Sequence, residues 1–321
     1  MEDQHIHTKL KSAPDHLFLG VFDGHGGKGC AIYVCGTDPN RKPEDKCLYE
    51  ILEETEEWKS YLASAKNADG TGRNIQLLKD ALVASFKSID TQMQNYVTEN
   101  PYKAYTFGGC TAVTVMITPE YIVCANAGDS RATMSKVGGI ALTLSEDHKP
   151  TNPGEDERIR NAGGYVTNGR VDGKLAVSRG LGDFEFKSDK NKPQDAQKVS
   201  CIPEFTNIYP RDFGNEEMII LACDGLWDVF SNDEAIKHVR KIWSEGESNI
   251  EKVAEKIIDL ALHKGSKDNI SAIVVKLKGA VVAARGGGGG GVAASGGGGG
   301  GGVVTTKESV ETEKMALALV A

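Results

Sequence analysis

The sequence predicts an α+β fold in which antiparallel sheets are covered by helices. Three observations carry this. Apolar strand-like runs follow one another with only turns between them. Amphipathic stretches of helical period come in groups rather than alternating with single strands. Aspartate beside glycine or asparagine repeatedly marks the end of a run. A doubly wound parallel sheet needs strict strand–helix alternation, which is missing.

The elements follow in order. Leu17–Phe22 is a short apolar strand stopping at Asp23. A helix is predicted within 45–64 from Leu48, Ile51, Leu52, Trp58, Tyr61 and Leu62. Another is predicted over 74–96, where Leu77, Leu78, Ala81, Leu82, Phe86, Ile89 and Met93 keep a period near 3.6. Thr111–Ile117 and Tyr121–Asn126 read as a hairpin turning at Pro119-Glu120. Ala132–Val137 and Ile140–Leu144 read as a second, turning at Gly138-Gly139. Met218–Cys223 is an apolar strand ending at Asp224. Ser231-x-x-Glu234 and Ser248-x-x-Glu251 have the form of capping boxes. They are expected to open helices ending near Trp243 and before Gly265. Ile270–Leu277 is the last predicted strand of the body.

The 321 residues are 40% hydrophobic, enough for a sizeable core. A net charge of −8 excludes a general nucleic-acid binder and suits a carboxylate-rich protein that holds cations. The seven cysteines contain no Cys-x-x-Cys pair and sit largely in apolar runs. That favours a reducing compartment, the cytoplasm or the nucleus. No signal peptide and no run of membrane-spanning length is present, so no membrane partner is expected. Composition breaks near Gly279. Beyond it, runs 286–291 and 296–302 hold 13 of the 38 glycines. Residues 1–278 are therefore expected to be the catalytic body and 279–321 a flexible tail.

Four runs meet an aspartate at their end: Asp23-Gly24, Gly128-Asp129, Asp224-Gly225 and Asp268-Asn269. Taken singly, each is ordinary turn chemistry. Taken together, strands of one architecture can deliver them to one rim, where their repulsion would be relieved by a dication. Oxygen ligands without paired histidines or cysteines favour Mg²⁺ or Mn²⁺ over Zn²⁺.

The succession is more specific than its parts. From the N-terminus it runs Met1-Glu-Asp3, Phe22-Asp-Gly-His-Gly-Gly27, Gly108-Gly-Cys-Thr-Ala112 and Ala125-Asn-Ala-Gly-Asp-Ser-Arg-Ala132. It continues through Glu146-Asp-His-Lys-Pro150, Leu175-Ala-Val-Ser-Arg179 with Gly182-Asp183, Ala222-Cys-Asp-Gly-Leu-Trp-Asp228 and Lys267-Asp-Asn269. This order resembles the metal-dependent type 2C protein serine/threonine phosphatases over nearly all of 1–278. The resemblance implies a four-layer αββα sandwich of two antiparallel β-sheets flanked by helix pairs, with a dimetal cleft at one end. It assigns Asp23 as a bridge between two metals, the Gly24 carbonyl and Glu2 to one of them, and Asp224 and Asp268 to the other. Asp129, with Asp224 and Asp228, matches a weaker third-metal site. Asp3, Thr111 and Asn269 would support these ligands, and His25 would be the general acid. The expected cofactors are two Mg²⁺ or Mn²⁺ ions per subunit with a weak third, and the expected substrates are phosphoserine and phosphothreonine proteins met by a monomer.

The implied chemistry is attack on phosphorus by a hydroxide bridging two metals, with no phosphoenzyme. No Cys-x5-Arg loop is present for a cysteine-dependent route. Several side chains carry plainer expectations: His148 fixes a loop, Trp227 anchors the core behind Asp228, and Arg179 pairs with Asp183. Residues 150–190 are expected to form a flap beside the cleft. Two departures stand out. The family's preceding strand, with its phosphate-gripping arginine, has no counterpart before Met1, leaving Arg179 as the candidate substitute and Glu2 expected to fray. The stretch Cys30–Lys46, with Gly36, Pro39 and Pro43, interrupts what the family builds as helix. Rival readings are a low-activity pseudophosphatase acting as a binding or regulatory protein, and a phosphatase for small phosphoesters.

Overall fold

The computed structural model describes residues 2–65, 72–277 and 314–320. It contains two five-stranded antiparallel sheets. The first runs β1 (Gln4–Lys9), β2 (Leu17–Phe22), β5 (Ala112–Ile117), β6 (Tyr121–Ala127) and β12 (Ile208–Pro210). The second runs β15 (Lys314–Val320), β14 (Ile270–Lys276), β13 (Glu216–Ala222), β7 (Arg131–Lys136) and β8 (Ile140–Thr143). Both predicted hairpins form, with Ile117 opposite Ile122 and Lys136 opposite Ile140.

Side-chain alternation explains why the sheets stack. Leu17, Leu19 and Val21 of β2 face inward with Val113, Val115 and Ile117 of β5. They meet Ala132, Met134, Ile219, Leu221, Ile273 and Val275 of the other sheet in one buried cluster. The opposite face of β2, with Phe18 and Phe22, packs under α1 (Gly29–Val34), α2 (Leu48–Glu54), α3 (Glu56–Ala63) and α4 (Ile75–Glu99). Met218, Ile220 and Ala222 turn outward from β13 onto α8 (Asn232–Ser244) and α9 (Ile250–His263). The central strands β2 and β13 are thus buried on both faces, which is why they read as continuous apolar runs. The result is the expected four-layer sandwich.

The helix starts are chemical. Ser231 accepts from the Glu234 N–H while the Glu234 carboxylate takes the Ser231 N–H, the predicted capping box. The second box does not form as read. Asn249, one residue later than Ser248, caps α9 by accepting from the N–H groups of Glu251 and Lys252. An Asn directly before the first apolar helical residue outcompetes a Ser one position further out. Helix α1 stops at Val34, Gly36 turns with φ +77°, and no helix resumes until Leu48. The interruption expected over 30–46 is therefore real.

The flexible tail needs revision. Lys314–Val320, inside the stretch expected as tail, form β15 and pair along the whole of β14, from Lys276 opposite Lys314 to Ile270 opposite Val320. An alternation of Met, Leu and Val with Ala suits a strand, and the glycine tract concealed it. The glycine runs themselves lie outside the described residues. Among the described residues no helix is long and apolar enough to cross a membrane.

Removing 314–321 strips a seven-residue ladder from the edge of β14. At about 0.5–1 kcal/mol per hydrogen bond and about one bond per paired residue, the loss is on the order of 4–7 kcal/mol. Differential scanning calorimetry is expected to give a melting temperature lower by roughly 5–10 °C. An unchanged melting temperature would mean the strand contributes nothing.

Candidate metal centre and its cleft

One end of the sandwich opens into a cleft of about 370 Å³. Its floor is made by strand ends. Asp23 follows β2, Asp129 follows β6, Asp224 follows β13 and opens α7 (Asp224–Trp227), and Asp268 precedes β14. Glu2, Asp23, Gly24, Asp129, Asp224 and Asp268 all line it, as do His25 and Thr111. The sites read from the sequence on six separate segments are brought together. Asp228 does not line the cleft. It sits one helical turn beyond Asp224, exposed, and acts on the Asp224 carboxyl by charge.

Two glycines allow the approach. A Cβ on Gly24 would lie 2.5 Å from the Glu2 carbonyl oxygen, so only glycine lets Glu2 lie against this turn. A Cβ on Gly225 would lie 2.1 Å from the Asn269 carbonyl oxygen, so the Asp224 and Asp268 segments can touch only across a glycine.

The supporting contacts are specific. The Asp23 N–H donates to Thr111 Oγ1 at 3.1 Å, and Thr111 shares a 2.6 Å hydrogen bond with Ser130. Asp3 is buried and accepts from Ser271 Oγ at 2.6 Å, which ties the first segment to β14 and holds the region expected to fray. Asn269 supports Asp268 through its backbone, its N–H donating to Asp268 Oδ1 at 2.8 Å. Trp227 anchors the core as expected, its Nε1 donating to the Ala222 carbonyl at 2.9 Å.

Burial, then the charges of Asp3, Asp224 and Asp129, push the Asp23 carboxyl up to about 10. Burial, then Asp129, Asp228 and Asp268, push Asp224 up to about 6. Burial also raises Asp3. Protein groups alone leave these carboxylates uncompensated, which is the condition a bound dication relieves. Ligand atoms of Asp23, Asp224 and Cys223 lie within 4.8 Å of one another. The Cys223 thiol is occupied, donating to the Asn269 carbonyl and accepting from the Ser271 N–H. The remaining donors are hard oxygens, and the set fits Mg²⁺ or Mn²⁺.

Two sequence expectations are corrected together. Arg179 does not pair with Asp183, nor does it reach the cleft. Its Nε and Nη2 donate to Glu155 Oε1 at 3.0 and 2.7 Å. Burial works against the Glu155 charge, but Arg179 and Arg158 outweigh it and bring that carboxyl to about 2. Arg179 therefore staples the later part of the flap to α6 (Pro153–Asn161) at its start and is no substitute for a phosphate-binding arginine. Asp183 instead accepts from His25 Nε2 at 2.8 Å. Burial opposes charging of His25, yet Asp183, helped by Asp129 and Glu2, leaves its pKa above the ordinary histidine value. Asp183 adopts a left-handed conformation at φ 53°, and a Cβ on Gly109 would strike its carboxylate at 2.2 Å. Gly109 clears the space for that carboxylate. Asp90 of α4 fixes the same turn from behind, accepting from the Gly182 N–H and from Lys187 Nζ, both at 2.8 Å.

Sequence reasoning also missed Arg170, the one arginine or lysine on the cleft wall among the described residues. It lies on β10 (Arg170–Val171), whose hairpin with β9 (Val166–Thr167) projects from the flap. Its signal, Asn168-Gly169 before an arginine, is a turn like many others.

A family model described as Protein phosphatase 2C matches residues 1–270. Human protein phosphatase 1B is 37% identical over 284 residues, covering 87% of this chain and 55% of that protein. Human protein phosphatase 1A is 36% identical over 279 residues, covering 86% of this chain and 66% of its own length. The chain thus spans about half to two thirds of these relatives. A solved structure described as a C. elegans sex determining protein superposes with a TM-score of 0.63 at 26% identity, over 85% of this chain and 60% of the other. Serine-threonine phosphatase 2C from Toxoplasma gondii shares the fold, with a TM-score of 0.68 at 24% identity over 86% and 90% of the two chains.

The raised carboxyls set a pH dependence. Groups whose folded pKa exceeds the unfolded value stabilise the metal-free protein at low pH and lose that contribution as pH rises through the folded pKa. Metal-free protein is therefore expected to lose stability from about pH 4 upward as Asp224 and then Asp23 are forced to ionise. Added Mn²⁺ is expected to raise the melting temperature more at pH 8 than at pH 6, because fewer protons compete. An equal shift at both pH values in thermal melts would contradict the assigned ligands. Asp224→Ala and Asp268→Ala are each expected to weaken Mn²⁺ binding in calorimetry by at least about tenfold.

Proposed function

The chain belongs to the protein phosphatase 2C family, and from that premise we propose that it hydrolyses phosphoserine and phosphothreonine in proteins with the aid of divalent cations. The observation that carries this reading is the convergence of five carboxylates on one cleft with a carboxylate-paired histidine at its rim. Asp23, with Glu2 and the Gly24 carbonyl on one side and Asp224 and Asp268 on the other, would hold two ions. A weaker third would take Asp129 and Asp224, with Asp228 adding its charge from one helical turn beyond. Bound Mg²⁺ or Mn²⁺ would supply an activated water and neutralise charge on the phosphoryl group.

The chain's own side chains account for the remaining tasks. His25 is half-buried and its Nε2 is held by Asp183. That pairing favours the protonated ring and orients it, so His25 can deliver a proton to the departing serine or threonine oxygen. Asp183 thus acts as a positioning residue. Arg170 reaches the cleft from an exposed hairpin. Its guanidinium offers paired donors to a phosphate or to an acidic residue flanking it. The flap segment Leu175–Val177 forms the apolar part of the wall, against which a peptide backbone can rest. The open, shallow setting of Asp268 and Arg170, both exposed, suits a phosphate carried on a large partner.

The decisive assay is phosphate release from a phosphothreonine peptide with Mn²⁺, with an EDTA control. Mn²⁺-dependent turnover abolished by EDTA is expected. Full Mn²⁺ binding without turnover would favour a binding or regulatory protein instead. His25→Gln is expected to cost about 10²–10⁴ on an alkyl phosphate. The loss should be clearly smaller on p-nitrophenyl phosphate, whose leaving group needs little protonation. Asp183→Asn should give the same contrast at smaller size. Equal losses on both substrates would remove His25 from the acid role. Arg170→Met should raise KM for the peptide about tenfold, consistent with the loss of one charge-assisted contact, and leave kcat less affected.

A further inference from the structure

Asp129 does not stand free at the back of the cleft. Its carboxylate is buried and in direct contact with the Lys149 ammonium. The contact comes from the loop after β8, whose backbone is firmly fixed. The His148 N–H donates to the Gly128 carbonyl at 2.9 Å, and His148 Nε2 meets Glu204 at 3.0 Å. The Asn152 N–H donates back to the Lys149 carbonyl at 3.0 Å. The base of the lysine is therefore held beside Gly128-Asp129. Its side chain is different: 39% of it is exposed, against 5% for the Asp129 side chain. Four methylenes allow the charged end to leave for water while the loop stays in place.

A lysine ammonium and a divalent cation compete for the same carboxylate, and both cannot sit against one buried oxygen pair. We infer that Lys149 is a built-in competitor for the weakest cation site, covering Asp129 when divalent cations are scarce and swinging out when one takes Asp129 as a ligand. The inference rests on the proposed metal-dependent reading. It adds that the occupancy of the third position is set by this lysine. With Lys149 in place, Asp129 is neutralised beside Asp23 and Asp224, so the cleft tolerates two cations without requiring a third. With a cation in place, the displaced ammonium is freed at the cleft, where further anionic groups of a substrate can meet it.

Calorimetric titration of the full chain with Mn²⁺, after chelator treatment, tests this without reference to turnover. Wild type is expected to bind two ions tightly and one weakly. Lys149→Met keeps the stem and removes the charge. It should lower the Kd of the weak class about tenfold, the effect on a carboxylate of removing an adjacent cation. The tight classes should move by no more than about threefold. Lys149→Arg, which retains the charge, should leave the weak class within about twofold, and Asp129→Asn should abolish both the weak class and the effect of Lys149→Met. Arg170→Met removes the same charge from the cleft wall without touching Asp129, and should leave the weak class within about twofold. A weak class unmoved by Lys149→Met overturns the inference while leaving the two-metal reading intact. Equal tightening by Lys149→Met and Arg170→Met also overturns it, since a general field effect would then suffice. Absence of all Mn²⁺ binding in wild type would overturn both readings.

Discussion

Carboxylates that repel one another are held together at the mouth of this sandwich, and much of the local architecture is arranged around keeping them there. The protein gathers Asp3, Asp23, Asp129 and Asp224 close enough that burial and mutual charge raise Asp23 and Asp224 far from their ordinary values. Few internal cations offset them. Lys149 meets Asp129, and elsewhere the structure supplies neutral hydrogen-bond donors: the Ser271 hydroxyl to Asp3 and the Asn269 N–H to Asp268. Such a site costs stability until a cation arrives, and it persists because the two apolar sheets behind it fix the strand ends.

The second arrangement is mechanical. The turn 180–183 is clamped from behind by the fully buried Asp90–Lys187 pair, and from that turn Asp183 reaches His25. A buried ion pair is seldom a net source of stability, because desolvation offsets much of its attraction. Here it joins α4 of the body to the segment that carries the histidine's partner. Arg179 and Glu155 tie the two ends of the flap to each other. The turn through which Asp183 holds His25 is thereby fixed to the body.

Much of this was legible in the sequence. Strands such as Leu17–Phe22 and Met218–Cys223 are buried on both faces, so they read as uninterrupted apolar runs, and the aspartates ending them mark the cleft. What could not be read was pairing at a distance. Arg179 and Asp183 stand four apart and look like partners. Only the left-handed turn at Asp183 sends the two side chains in different directions. Arg170 carries no motif of its own, and it reaches the cleft only through the placement of its hairpin. β1, with the sequence QHIHTK, is a polar edge strand with a single buried side chain, Ile6, and so gives no apolar run. β15 was hidden by the composition of the segment before it.

The hydrogen bond between Asp3 and Ser271 joins positions 268 residues apart, and the cleft itself draws on segments from residue 2 to residue 268. Local helices such as α4 can form early, since their contacts close small loops. The carboxylate cluster cannot, because its members meet only after the final strands of both sheets are in register. During synthesis each aspartate therefore remains solvated and unperturbed until β13 and β14 have emerged and docked. The electrostatic cost of the site belongs to this late assembly, and a cation that binds only the completed cluster would stabilise it against reopening rather than guide its formation.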